Sequence, residues 1–401
     1  MPKARKTLYI ARDIERALGS EPGEDYRIAT NRTPYAEEMK KRWPQFVHLT
    51  DSQKGFEDTA ELMASDHVRR LIADTGSDIV VFKSNPRIEA IAKENGWTLL
   101  NPPSALAEKV ENKITQVEWL GELVKYLPAH SVGAAKGLKW NKEPLVIQWA
   151  HGHTGDSTML VNSAQELKAV QEKFPDRPAR ASAFVRGPSF TVNAVVTKDS
   201  VLVGNVSYQI TGLPPFTDNP FTTIGNDWSL THSLLDESEI SYIETMAREI
   251  GGKLNAEGWR GLFGIDVMKD IELNKLFLIE INARQPASTT FESFLQGEFR
   301  RQGIQGLTVF EAHLKALRGE PVGGPLIPLN DGAQIVQRVT RSVKEVPDDA
   351  VGSLELAGYS VIQYPNTEYN TDLLRIQSLR GIMEGHGKLN KRGKEIVELI
   401  D

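Results

Sequence analysis

The stretch Leu276–Thr289, which reads LFLIEINARQPAST, decides the fold of this 401-residue chain. An earlier stretch, Gly261–Met268, reads GLFGIDVM, and the polar segment Lys269–Asn274 lies between the two. Turn residues between two apolar runs are typical of a β-hairpin. We therefore expect two antiparallel strands, Gly261–Met268 and Lys275–Ile281.

Polar side chains recur at every second position of the second strand. Residues two apart on a strand point to the same face, so Glu280, Asn282 and Arg284 are expected on one surface. Cross-strand pairing would bring the carboxylate of Asp266 to that surface. The apolar residues between them are expected to pack behind: Ile279, Ile281 and Ala283.

Two carboxylates and an amide oxygen on one surface predict a magnesium site. Mg²⁺ takes hard oxygen ligands and keeps water and substrate phosphates in its shell, which suits a bound Mg-nucleotide. An adjacent arginine suits phosphoryl transfer, because its fork of N–H donors can hold phosphate oxygens. The alternative is a solvated strand face with alternating charge, and the motif by itself leaves both interpretations open.

The two strands strongly resemble the E-x-N-x-R signature of the ATP-grasp superfamily, whose members clamp ATP between two α+β subdomains. The resemblance covers residues 78–320, and the order of the elements agrees. It implies ATP and Mg²⁺ as cofactors, with Asp266, Glu280 and Asn282 as magnesium ligands. It also implies that Arg284 contacts the phosphates or an acyl-phosphate intermediate.

Two earlier segments resemble the parts of the family that bind the phosphates. Asn112-Lys113 resembles an Asp-Lys pair whose lysine approaches ATP. The segment Glu143–Val161 resembles a strand followed by a flexible phosphate loop, in which Gly152 and Gly155 allow close backbone approach. The nucleotide-binding residues assigned here are Lys113, Gln148, Gly152, His153, Thr154 and Gly155.

This segment departs from the family at Gln148, where most relatives have a lysine or arginine. A neutral amide cannot supply the same charge. Either another basic residue compensates, or ATP is bound more weakly. A solvent-exposed hairpin turn is the alternative interpretation of the loop.

The segment Ser182–Val196 resembles the hinge strand that receives adenine through its backbone. Ala183, Phe184 and Val185 can offer a main-chain donor, a main-chain acceptor and apolar surface. Ser189 stands where related ligases have a ribose-binding glutamate, and Ser182 replaces another common glutamate.

The first hundred residues predict a small parallel α/β sheet, because short apolar runs alternate with helical segments. The expected strands are Thr7–Ala11, Tyr26–Thr30 and Asp78–Phe82, and the expected helices are Tyr35–Trp43, Ala60–Asp74 and Pro86–Asn95. A further helix is expected from Ala105 to Lys125, with Ser104 as its N-cap.

The predicted fold class is therefore α/β and α+β. An N-terminal parallel α/β (pre-ATP-grasp) domain at residues 1–110 precedes a two-subdomain ATP-grasp fold at 111–322. Residues 111–180 form its first subdomain with the phosphate loop, and 181–322 its second with the hinge strand and metal site. A small C-terminal α+β accessory segment occupies 323–401 and is expected to close over the site or form a subunit contact.

Composition excludes several classes of function. A net charge of −6 without a long Lys/Arg block argues against nucleic acid as a partner. The absence of cysteine excludes thiolate chemistry, and no apolar run approaches the ~20 residues of a membrane span. We expect a cytoplasmic protein with small-molecule partners, and a homodimer is left open.

The resemblance implies an ADP-forming ligase that phosphorylates a carboxylate and transfers the acyl group to an amine, such as that of an amino acid or peptide. After Arg284 the chain reads Gln285–Thr290 (QPASTT) and lacks the Gln-Val-Glu-His of biotin-dependent carboxylases. Two alternatives stay open: an ATP-grasp small-molecule kinase, and a catalytically inactive ATP-binding regulatory module.

Overall fold

A parallel sheet forms the N-terminal part of the computed structural model, which describes residues 6–50, 56–150, 158–347 and 349–400. Its strand order is β3-β2-β1-β4. The strands are β1 Thr7–Ala11, β2 Tyr26–Asn31, β3 Val47–Thr50 and β4 Asp78–Val81. The helices are α1 Pro34–Arg42, α2 Thr59–Ala64, α3 Asp66–Thr75 and α4 Pro86–Glu94. The expected parallel α/β sheet is confirmed.

Two predicted helices are interrupted by residues with extended backbone. The predicted helix Ala60–Asp74 breaks at Ser65, whose hydroxyl accepts the Val68 N–H and caps the second half. The predicted helix Ala105–Lys125 is in fact α5 Ser104–Glu111, α6 Thr115–Leu120 and a 3₁₀ turn, Gly121–Tyr126.

The break after α5 lies at Asn112, whose side-chain oxygen accepts the Ile114 N–H at 2.9 Å. This local bond competes with the helical one, as asparagine side chains often do. Lys113 therefore lies between two helices rather than within one. The predicted cap is also wrong, because Pro103 precedes α5 and no side chain caps it.

A small antiparallel sheet follows, with strand order β5-β8-β6-β7. Its strands are β5 His130–Ala134, β6 Leu145–Trp149, β7 Thr158–Val161 and β8 Pro178–Ala183, and α7 Ala164–Lys173 packs on it. The predicted limit between the two subdomains, 180/181, falls inside β8.

A nine-stranded sheet forms the rest of the fold. The order is β14-β13-β9-β11-β12-β15-β17-β16, with β10 paired to β9. The strands are β9 Ser189–Val196, β10 Val201–Val203, β11 Ser207–Thr211, β12 Thr223–Asp227, β13 Gly261–Asp270, β14 Lys275–Asn282, β15 Ala333–Arg338, β16 Ser360–Gln363 and β17 Asp372–Ser378. The expected hairpin is β13–β14, and it is antiparallel as predicted.

Helices and a short hairpin complete the described part of the chain. They are α8 Thr231–Leu234, α9 Glu237–Ala256, α10 Thr289–Arg301, α11 Val309–Arg318, α12 Ala350–Leu356, β18 Met383–Gly385, β19 Lys388–Leu389 and α13 Lys391–Ile400. Strands β15 to β17 extend the large sheet beyond the predicted limit at residue 322, so the sheet is continuous across it. None of the described helices has the length and apolarity needed to cross a membrane.

The N-terminal sheet is held between two layers, because its strands are apolar on both faces. Leu8 and Ile10 pack among α2, α3 and α4. Tyr9 packs on the other face against Phe310 of α11, with ring centroids 6.2 Å apart. The Tyr9 hydroxyl donates to Gln285 Oε1 at 2.7 Å, and Gln285 Nε2 donates to the Arg16 carbonyl at 2.7 Å. These bonds attach the loop after β14 to the N-terminal sheet.

We expect Tyr9→Phe to lower the free energy of unfolding by about 1–3 kcal/mol, because it leaves the buried Gln285 oxygen without a donor. Urea denaturation followed by tryptophan fluorescence measures the loss. Tyr369→Phe removes the same atom from an exposed side chain and is the matched control. Equal stability of both variants and the parent protein would contradict the prediction.

Candidate functional site

A cavity of about 600 Å³ lies between the small and the large antiparallel sheets. Strands β6, β7 and β8 line one side, and β9, β11, β13 and β14 line the other. This volume is in the range of small-molecule sites. The segment that connects β8 to β9 closes one end, and His386 of the β18–β19 hairpin reaches the lining from the C-terminal segment.

Two carboxylates face each other across the β13–β14 hairpin. Asp266 and Glu280 are cross-strand partners, as predicted, whereas the next pair is Val267 with Leu278. Ile279 is therefore an extra residue, and such a β-bulge changes which side chains point to each face.

The bulge explains one wrong prediction. Before it, Leu276 and Leu278 belong to the core, and after it Ile281 and Ala283 do. Ile279 instead lines the cavity next to Glu280, although it was expected to pack behind the polar face. The positions of Ile281 and Ala283 are confirmed.

Asp266 is held by three side chains from three strands. Thr191 Oγ1 donates to its Oδ1 at 2.5 Å, Gln209 Nε2 donates to the same oxygen at 2.8 Å, and Asn282 Nδ2 donates to Oδ2 at 3.2 Å. Burial and the nearby charge of Glu280 raise the pKa of Asp266 to about 6. The bonds from Thr191 and Asn282 lower this pKa, but their effect is smaller.

Glu280 is balanced by cations. Its Oε1 lies 2.8 Å from Nζ of Lys113, which is buried. Burial alone would raise the pKa of Glu280, but the charges of Lys113 and Arg284 outweigh it and lower that pKa. The break between α5 and α6 is what brings Lys113 to this position.

The donor set fits a magnesium ion. Two carboxylates in cross-strand register and the Asn282 amide provide hard oxygens. The raised pKa of Asp266 reflects repulsion between its carboxylate and that of Glu280, which a bound cation would relieve. No third histidine or acid joins them within the described ranges, so an all-protein cage is not formed there. Mg²⁺ does not need one, because it retains waters and substrate phosphates.

Arg284 lies at the junction with the N-terminal sheet rather than in the lining of the large cavity. It forms an ion pair with Glu111 at the end of α5, and Lys83 Nζ lies 2.5 Å from the other Glu111 oxygen. Burial alone would lower the pKa of Arg284, but the charges of Glu111 and Glu280 outweigh it and raise that pKa. The guanidinium is thus held in place beside β14.

The structure also shows a functional candidate that the sequence analysis missed. Arg180 of β8 is the cross-strand partner of Gln148 and donates to Gln148 Oε1 from Nη2 at 2.6 Å. Both residues line the cavity. In the sequence, the sign that could have indicated Arg180 is a single charged residue among the otherwise small, uncharged residues of this strand, PARASA.

The expected hinge residues lie at the closed end of the cavity. Ala183 and Phe184 donate their N–H groups to the carbonyls of Ala129 and Pro144. No described residue accepts the N–H of Val185. Ser189 Oγ donates to Gln209 Oε1 at 2.5 Å, which links it to Asp266 through Gln209.

The segment that connects β8 to β9 is bonded to the β13–β14 hairpin around Gly187. This residue has φ +146°, and a Cβ there would lie 2.2 Å from the Lys269 carbonyl oxygen. Main-chain bonds run from Ile271 N–H to the Arg186 carbonyl and from Lys269 N–H to the Pro188 carbonyl. The predicted phosphate-loop residues Gly152, His153, Thr154 and Gly155 lie outside the described residues.

Comparison with known proteins agrees with this arrangement. A family model described as an ATP-grasp domain matches residues 110–288. No curated protein matches the chain.

Solved structures match the chain over nearly its whole length. N5-carboxyaminoimidazole synthetase from Staphylococcus aureus has a TM-score of 0.65 at 10% identity and covers 98% of this chain and 97% of that one. The Aspergillus clavatus carboxyaminoimidazole ribonucleotide synthase complexed with ATP has a TM-score of 0.62 at 16% identity, covering 99% and 98%. L-amino acid ligase from Bacillus licheniformis has a TM-score of 0.64 at 17% identity, covering 99% and 97%. Residues 110–288 therefore match an ATP-grasp domain, and the chain as a whole has the fold of these three enzymes.

Proposed function

We propose that this chain binds Mg-ATP and uses it to join a carboxylate to an amine. The observation that carries the proposal is the cross-strand pair Asp266–Glu280 on the wall of a 600 Å³ cavity, with Asn282 hydrogen-bonded to Asp266, in the part of the chain that matches an ATP-grasp domain. ATP is the bound ligand named for one protein of the same fold.

The cavity supports one orientation of the nucleotide. The N–H of Val185, which no described residue accepts, and the apolar surface of Phe184 suit adenine. Ser189 and Gln209 can form hydrogen bonds with the ribose hydroxyls. The phosphates then extend along β8 and β13 toward Asp266 and Glu280. Lys113 lies beside Glu280, where its ammonium can contact the terminal phosphate.

The proposed reaction has two steps. A carboxylate oxygen of the first substrate attacks the γ-phosphorus, the bond to ADP breaks, and an acyl phosphate forms. An amine nitrogen then attacks the acyl carbon, inorganic phosphate leaves, and the amine loses a proton. Bound Mg²⁺ would offset the negative charge of the phosphates.

The described residues contribute orientation and charge rather than a covalent nucleophile. Asp266, Glu280 and Asn282 would hold the cation, and Arg284, fixed by Glu111, would hold oxygens of the transferred phosphoryl group. We propose small-molecule substrates, an amino acid or short peptide among them, and a cytoplasmic location.

Incubation with Mg-ATP and pools of amino acids and amines tests the function. A ligase releases phosphate only when both substrates are present and yields a condensed product that mass spectrometry detects. ADP release with one substrate alone would instead indicate a kinase. Binding of Mg-ATP without any ADP or AMP would indicate a regulatory module.

We expect Glu280→Gln to reduce Mg-dependent turnover about 100-fold or more, because the amide cannot provide the second negative charge to the cation. Phosphate release measures turnover, and circular dichroism confirms folding. Glu272→Gln changes the same group on the exposed turn of this hairpin and is the control. Full activity of a folded Glu280→Gln protein would contradict the assignment of Glu280 as a magnesium ligand.

We expect Arg284→Lys to lower kcat by about 100-fold while the Kd for Mg-ATP changes less than about threefold. Lysine keeps the charge but loses the planar fork, so the loss falls on the transition state. Single-turnover phosphate release and calorimetric titration measure the two constants. Arg248→Lys changes an exposed arginine of α9 and is the control. Equal losses in kcat and ATP affinity would show that Arg284 binds the ground-state nucleotide.

A further inference from the structure

Arg180 is a buried cation whose hydrogen-bond acceptors are all neutral. Only 2% of the residue is exposed. Its Nε and Nη2 donate to Gln148 Oε1 at 3.2 and 2.6 Å. Nη1 donates to Gln116 Oε1 at 2.9 Å, and Nη2 also donates to the Ile279 carbonyl at 3.2 Å. An amide oxygen, a second amide oxygen and a carbonyl hold the guanidinium.

The charge of Arg180 is not matched by a contacting anion. Among the described carboxylates, none lies within 4.0 Å of its nitrogens. Glu280 is the nearby acid, but it is paired with Lys113. Burial lowers the pKa of Arg180 to about 10, against the effect of Glu280, so the guanidinium stays cationic at neutral pH. A buried charge is unfavourable without a counter-ion, and Arg180 contacts none within the described ranges, so an anion that enters the cavity would stabilise it.

The location of Arg180 indicates which anion fits. It lines the cavity and contacts the carbonyl of Ile279, the residue before Glu280. It also precedes the hinge residue Val185 on the same chain segment by a few residues. Arg180 thus lies between the proposed adenine end and the metal end. Of the five N–H groups of a guanidinium, four have described acceptors, and one on Nη1 does not.

We propose that Arg180 binds the phosphate chain of the nucleotide and thereby supplies, from β8, a positive charge that the neutral Gln148 cannot supply. This inference rests on the proposed ATP binding. Gln148 is then a positioning residue, because its amide oxygen accepts two N–H groups of the guanidinium and fixes its plane. A lysine at position 148 would place a second cation beside Arg180, so the neutral glutamine and the buried arginine form a matched pair.

The test compares binding of Mg-ATP and adenosine by calorimetric titration. Arg180→Gln should raise the Kd for Mg-ATP about 10- to 100-fold, as expected for a lost charged hydrogen bond, and leave the Kd for adenosine within about twofold. Arg248→Gln, which removes an exposed arginine, should change neither constant. The double variant Gln148→Lys/Arg180→Gln should regain ATP affinity, whereas Gln148→Lys alone should not improve it.

Each outcome has one meaning. An unchanged Kd for Mg-ATP in Arg180→Gln overturns the role of Arg180 and leaves ATP binding intact. An equal loss for adenosine shows a structural role only. Failure of the parent protein to bind Mg-ATP overturns both the proposed function and this inference. If Arg180→Gln does not fold, Arg180→Lys decides: because it keeps the charge but loses the fork of donors, it should raise the Kd for Mg-ATP about three- to tenfold and leave that for adenosine unchanged, and an unchanged Kd for Mg-ATP overturns the role.

Discussion

Repulsion between two carboxylates on adjacent strands is the constraint on which the site depends. Asp266 and Glu280 are paired across β13 and β14 at the edge of the large sheet, where water cannot fully screen them. The β-bulge at Ile279 turns Glu280 toward the cavity while Ile281 stays in the core. The hairpin therefore concentrates negative charge in one place, and the rest of the fold supplies positive charge to it.

The cations around this pair come from separate parts of the chain. Lys113 reaches Glu280 from the break after α5, Arg180 from the small sheet, and Arg284 from the loop after β14. Each one is buried or half-buried, and Arg180 and Arg284 are also held by side chains other than the two carboxylates. Attraction to the carboxylates thus works together with apolar packing to hold the N-terminal sheet and the small sheet against the large sheet.

Local patterns in the sequence were sufficient for the hairpin and for the pairing of Asp266 with Glu280, because turn residues and a period of two are short-range signals. They were insufficient for the Ile279 bulge, which depends on how a whole strand packs, and for the helix break at Asn112, which depends on one side-chain bond. Arg180 was missed because its role depends on the register of β8 against β6, strands more than twenty-five residues apart in sequence. All of the roles assigned to site residues stay predictions: those of the proposed magnesium ligands, of Arg284, of Lys113, Gln148 and Ser189, of the hinge residues and of the phosphate loop.

The attachment at Gly187 has a consequence for motion. The connection between the sheets is bonded to the turn end of the hairpin that carries Asp266 and Glu280, so we expect the backbone proposed to bind the base to move together with the carboxylates. If the small sheet swings outward to admit a ligand, we expect the distance between the small and the large sheets to change. The distance from the backbone of Val185 to the carboxylates of Asp266 and Glu280 should stay the same. The same swing would move Arg180 away from the Ile279 carbonyl, so capture of the phosphates would coincide with closure.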